Sequence, residues 1–135
     1  MNTLVDASVW SLALRRRPDN LAAEEREIVE VCAGLVREDS VAIIGVIRQE
    51  VLSGVRRRAD FDQLRERLAG FRDVRLDTGN YVRAAEFLNE CRTHGISGTA
   101  IDMLICAAAH RHSLSIFTTE GDFANYATWL CTCLQ

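Results

Sequence analysis

The sequence predicts an α/β fold, a three-layer α/β/α sandwich around a short parallel sheet. Short apolar, partly β-branched runs recur along the chain, separated by longer stretches with a helical apolar period. Strands alternating with helices cannot pair as hairpins, so they form a parallel sheet covered on both faces. Repeats, low-complexity stretches and linkers are absent, so residues 1–135 read as one domain.

Thr3–Val5 reads as a short buried strand running directly into Asp6. Ala7–Leu14 follows as a helix, and Leu21 to Arg37 as a second, with Ile28, Val31, Cys32 and Leu35 on one stripe. Val41–Ile44 is β-branched enough for a second strand. Gly45–Gly54 returns to helix, and Phe61–Phe71 gives another through Leu64 and Leu68. Val74–Leu76 reads as a weak third strand. Asp77–Thr78 can cap a long helix over Gly79–Thr93, and Ser97-Gly98-Thr99 opens one reaching His112. Leu114–Phe117 is a further buried strand; a polar turn at Thr118–Gly121 and a short segment over Asp122–Ala127 come next. Trp129–Cys133 alternates like a last strand.

Composition excludes several chemistries. Of 135 residues, 48% are hydrophobic and 26% charged, with a net charge of −3, so no global basic footprint announces a nucleic-acid binder. All 16 basic residues are Arg and none is Lys. A Walker-type NTPase, a pyridoxal-phosphate enzyme or a lysine Schiff-base catalyst is therefore ruled out. No apolar stretch is long enough to span a bilayer, and Met1-Asn2-Thr3 carries no basic leader signal, so a cytoplasmic location without membrane contact is expected. Five cysteines fit a reducing compartment with buried thiols. Cys131-x-Cys133 and His110-x-His112 invite zinc, but helical residues two apart point about 200° away from one another.

Four carboxylate positions stand out. Asp6 follows the first strand, where the plain reading is an N-cap, with Ser8 adding a hydroxyl at the same edge. Glu50 falls on the apolar stripe of its helix, between Val46 and Ile47, unless it swings out to pair with Arg48 or Arg56. Asp102 opens a helix apolar nearly all round, where Thr99-x-x-Asp102 also fits a capping box. Glu120 and Asp122 lie in a turn directly after a buried strand, where solvated loop charge is the ordinary explanation. Taken together, these acids can gather at one sheet edge, and carboxylates that converge without Lys need a divalent cation to stay ionised. Hard oxygen donors favour Mg²⁺ or Mn²⁺, and such a site suits phosphodiester hydrolysis.

Leu4-Val5-Asp6-Ala7-Ser8-Val9-Trp10, Arg48-Gln49-Glu50-Val51-Leu52, Ile101-Asp102-Met103-Leu104-Ile105-Cys106-Ala107-Ala108 and Phe117-Thr118-Thr119-Glu120-Gly121-Asp122-Phe123 together resemble the PIN-domain ribonucleases of the VapC toxin kind. Each motif alone is weak; their order and spacing span almost the whole chain. The resemblance implies a PIN-like α/β/α fold and metal-site roles for Asp6, Glu50 and Asp102. The family's last motif reads Thr-x-Asp-x-Asp-Phe, so its first acid falls on Glu120, one methylene longer, and its second on Asp122. Catalytic candidates are thus Asp6, Glu50, Asp102, Glu120 and Asp122, with Ser8 and Thr118 supporting them. The resemblance further implies a homodimer, a cognate VapB-like antitoxin and a structured RNA substrate such as tRNA, ribosomal RNA or mRNA.

Arg15, Arg16 and Arg17 follow the first helix, and Arg56, Arg57 and Arg58 follow the helix bearing Glu50. Either cluster can hold RNA phosphates or acidic antitoxin residues, or be a solvated charge run. The competing functions are a catalytically silent PIN-like module that binds RNA or protein, and a phosphotransfer receiver, which would need the lysine this chain lacks.

Overall fold

The structure is a computed structural model and describes residues 2–130. Three parallel strands, β1 (Thr3–Val5), β2 (Val41–Ala42) and β3 (Ser115–Phe117), form a sheet in the order β2-β1-β3. Thr3 pairs with Val41 on one side and Ser115 on the other, and Val5 pairs with Phe117. Leu4 and Val5, whose side chains point to opposite faces, are both fully buried, so both faces of the central strand are covered.

The helices are α1 (Ala7–Leu14), α2 (Ala23–Arg37), α3 (Gly45–Leu52), α4 (Arg58–Leu68), α5 (Thr78–Thr93), α6 (Ala100–His112) and α7 (Asp122–Trp129), with a short 3-10 turn at Pro18–Asn20. Helix α1 packs on α2 and α3, α3 on α4, and α5 on α6 and α7. Helix α6 is the most buried, with Met103 through Ala109 all inside, as its apolar circumference dictates. Its C-cap, Ser113, takes a left-handed conformation (φ 55°) that turns the chain into β3. Helix α5 starts at the expected cap, where Asp77 accepts from the Asn80 N–H at 3.2 Å.

Several expectations need correction. Val74–Leu76 is not a strand: among the described residues the only pairing near it is a parallel bridge between Ile43 and Asp73. The Arg48 guanidinium holds the stretch before it, donating to Leu68 O at 2.8 Å, Phe71 O at 2.6 Å and Asp73 Oδ1 at 3.0 Å, and the Val74 N–H donates to Ile43 O at 2.7 Å. Helix α4 begins three residues earlier than expected and ends at Leu68, while α2 begins two later, after the Pro18 turn. Val31 is exposed at 55%, so the buried stripe of α2 narrows to Cys32 flanked by Ile28 and Leu35. Trp129 ends α7 rather than starting a strand, because Phe123 and Tyr126 bury a helical face. Positions 131–133 of that expected strand, and with them the Cys131-x-Cys133 pair, lie outside the described residues. The other three thiols, Cys32, Cys91 and Cys106, are free and buried.

Candidate active site

The strand order places a topological switch at β1: the chain crosses from β1 to β2 on one side and reaches β3 on the other. In open α/β sheets the crevice beyond the carboxyl ends of such strands is where ligands bind. Asp6 and Thr118 are the first residues past β1 and β3, and the Asp6 N–H donates to Phe117 O at 2.9 Å.

Asp6 is 3% exposed and occupies the N-cap position of α1, but its side chain makes no capping bond. Its Oδ2 instead accepts from Ser8 Oγ and from Thr118 Oγ1, each at 2.9 Å. Both hydroxyls are themselves acceptors, Ser8 from the Thr119 N–H at 3.1 Å and Thr118 from the Glu120 N–H at 3.0 Å. Two successive amides of the β3–α7 turn thus fix two hydroxyls, which fix one carboxylate oxygen. This arrangement is not what helix capping requires, and it tells against the plain reading of Asp6.

Asp102 is half-buried in the first turn of α6. Its backbone N–H donates to Thr99 Oγ1 at 3.0 Å, which is one half of the expected capping box. The carboxylate does something else: Oδ2 accepts from the Tyr126 hydroxyl at 2.8 Å. Tyr126 is 2% exposed, and burial, followed by this bond and the Asp102 charge, pushes its phenol well above the ordinary range. Sequence reasoning missed Tyr126. The available signal was a tyrosine four residues after Asp122, on the same helix face as buried Phe123, since a buried Tyr hydroxyl needs a partner.

Glu50 is exposed on α3 and not set into the apolar stripe, which is carried by Ile47 and Val51. The alternative, a pairing with Arg48 or Arg56, does not occur among the described residues either, and Arg48 is spent on Leu68, Phe71 and Asp73. Partial burial of the Glu50 carboxyl, then the charges of Asp6 and Asp102, raise its pKa. Glu120, also exposed, is raised by burial and then by Asp6, Asp102, Glu50 and Asp122. The five acids therefore share one field, and among the described residues none of them is in an ion pair.

Among the described residues no three His, Cys, Asp or Glu side chains close into a ready metal cage. Mg²⁺ does not require one, since it keeps several waters and takes one or two carboxylates from the protein. An all-oxygen set of mutually repelling, uncompensated acids fits such a hard cation. His110 and His112 lie in the last turn of α6, two positions apart as expected.

Fold and motifs together are those of one family: the PIN domain model matches residues 3–128. This chain is a member of the PIN domain family. Sequence comparison with curated proteins yields no match. Among solved structures, this PIN domain is similar to FitAcB from Neisseria gonorrhoeae, with a TM-score of 0.72 and 26% identity over 92% of each chain. It also resembles VapBC2 from Rickettsia felis bound to a promoter DNA fragment, with a TM-score of 0.76 and 15% identity over 97% of each chain. PIN domains are generally nucleases. No helix among the described residues is long and apolar enough to cross a membrane.

Proposed function

We propose that this PIN domain is a metal-dependent endoribonuclease of the VapC toxin kind, hydrolysing phosphodiester bonds in structured RNA. The observation that carries the reading is the field shared by Asp6, Glu50, Asp102 and Glu120, with no cation of the described residues paired to any of them. Asp6 and Asp102 are the strongest ligand candidates for Mg²⁺ or Mn²⁺, because each is oriented by a hydroxyl that donates to one oxygen. Glu50 and Glu120, exposed at the rim, complete the acidic set and can act on bound water. Asp122, in the first turn of α7, adds its charge beside Glu120. When bound, the ion would activate water and offset the charge that develops on the phosphate.

The remaining work falls to the chain. Ser8 and Thr118 hold the Asp6 carboxylate in one orientation, and the β3–α7 turn holds those hydroxyls through its amides. Tyr126 does the same for Asp102 from α7. The likeness in fold to VapBC2 and FitAcB supports a cognate antitoxin as partner, and a homodimer and a cytoplasmic location belong to the same proposal. The deciding experiment is incubation of the purified chain with a labelled pool of tRNA and ribosomal RNA, with Mg²⁺, with Mn²⁺ and with EDTA. Discrete fragments that appear only with metal support the reading. RNA left intact by a folded, metal-supplied chain overturns it and favours the silent binding module.

A further inference from the structure

The acidic crevice cannot by itself attract a polyanion, and the net charge of −3 gives no general attraction either. A groove of about 520 Å³ elsewhere on the chain has the opposite character. It lies where the end of α1, the turn after α3 and the flank of α4 meet. Arg15, Arg17, Arg56, Arg57 and Arg67 line it against one carboxylate, Asp60. The two arginine clusters of the sequence thus reach one surface, joined there by Arg67. Arg16 and Arg58 leave it: Arg16 reaches Glu25 and Asn20 O, and Arg58 pairs with Asp62 and lies over Phe61.

Most of these guanidinium groups are uncommitted. Arg57 makes a 3.8 Å ion pair with Asp60, whereas Arg15, Arg17, Arg56 and Arg67 are in no side-chain hydrogen bond or ion pair among the described residues. Gly54, which also lines the groove, sits at φ +87°, a backbone conformation that suits glycine. Four unpaired planar forks around one groove present donors that match phosphate oxygens bidentately.

We propose that this groove binds the sugar–phosphate backbone of the RNA that the acidic crevice cleaves. The proposal rests on the nuclease reading. It also accounts for how an anionic site holds an anionic substrate: binding energy comes from the groove, and chemistry from the crevice. Both walls are tied to the site. Helix α1 runs from its N-cap Asp6 to its C-cap Arg15, about 14 Å away at 1.5 Å per residue. Helix α3 carries Glu50 and leads into the turn that holds Arg56 and Arg57.

The test measures binding without cleavage. A fluorescein-labelled RNA hairpin is titrated, in EDTA and at several salt concentrations, with the wild-type chain and with Arg15→Gln/Arg56→Gln/Arg67→Gln. The expected result is a tenfold or greater loss of affinity and a smaller salt slope, by about 0.7–0.9 for each phosphate no longer neutralised. The corresponding triple lysine variant should regain the slope, since the long-range attraction depends on charge; loss through misfolding would not be restored in this way. Equal affinity and slope in the wild type and the Gln variant overturn the groove, while metal-dependent cleavage, measured separately, still judges the nuclease reading. Unchanged hairpin binding together with lost binding of poly-glutamate would make the groove an acidic-protein site and overturn the proposal as well. Absence of any hairpin binding by the wild type overturns it outright.

Discussion

Thr118 and Asp6 stand 112 residues apart in the chain and are joined by a 2.9 Å hydrogen bond across the ends of two paired strands. The bond is a product of parallel register: with Val5 opposite Phe117, the next residue on each strand meets at the sheet edge. A slip of one residue would turn both side chains to other faces and dissolve the site.

Thr118→Val keeps the side-chain shape and removes both roles of the hydroxyl, donor to Asp6 and acceptor for the Glu120 amide. Loss of a hydrogen bond to a buried carboxylate should cost about 1–3 kcal/mol, read as a lower urea midpoint at constant slope. Ser8→Ala should cost about as much, and the pair should be non-additive, because both hydroxyls serve one oxygen. Strict additivity would mean that the two act independently.

Tyr126→Phe keeps the ring, which packs edge-on against Phe123, and deletes only the bond to Asp102. Stability should fall by about 1–2 kcal/mol. If Asp102 is a metal ligand, half-maximal activation should also need about 10–100 times more Mg²⁺ or Mn²⁺. A stability loss with unchanged metal demand would make Tyr126 a packing residue alone.

The elements that sequence patterning located are those with a strong period or a strong cap: α5 behind Asp77, and α6 with its continuous apolar surface. The missed elements are those set by single long-range contacts. Nothing local to Val74–Leu76 reveals that its pairing stops at the Ile43–Asp73 bridge, beside the Leu68 and Phe71 carbonyls that Arg48 takes. The candidate acids were legible because a carboxylate beside an apolar run is conspicuous. Their orienting partners were less so. Ser8 and Thr118 were found by their closeness in sequence to Asp6 and Glu120, whereas Tyr126 is 24 residues from Asp102 and reads as ordinary core. Glu50 was placed too deep, because a wheel gives direction around a helix but not where the helix meets the surface.

The acid field also sets a pH dependence. Glu50 and Glu120 have folded-state pKa values above the ordinary range for glutamate. The folded chain therefore holds more protons than the unfolded one in that window, and stability falls as pH rises through it. Measured in EDTA, melting temperature should decline as pH climbs from about 4.3, where unfolded glutamate titrates, to beyond the raised values. Because both groups are exposed, the decline should be modest and shrink in high salt. Rising stability over that window, once the effects of other acids are subtracted with Glu50→Gln/Glu120→Gln, would show that the carboxylates do not repel.

Asp6→Asn and Asp102→Asn separate a charged ligand role from a structural one. Asn preserves shape and an acceptor oxygen, so it can still take bonds from Ser8 and Thr118, or from Tyr126. It also caps a helix about as well as Asp. A structural role therefore predicts variants that fold, melt and cleave much as the wild type does. The ligand role predicts a different set of results. Cleavage should fall by orders of magnitude, because the cation and the charge it sets against the phosphate are lost together. Stability in EDTA should hold or rise, since one repelling charge is gone and two unpaired glutamates nearby are relieved. Added Mg²⁺ or Mn²⁺ should raise the melting temperature of the wild type by mass action and that of the variants less. Full cleavage by both variants, with a wild-type melting response to metal, would remove Asp6 and Asp102 from the chemistry and leave the crevice without its two best-held acids.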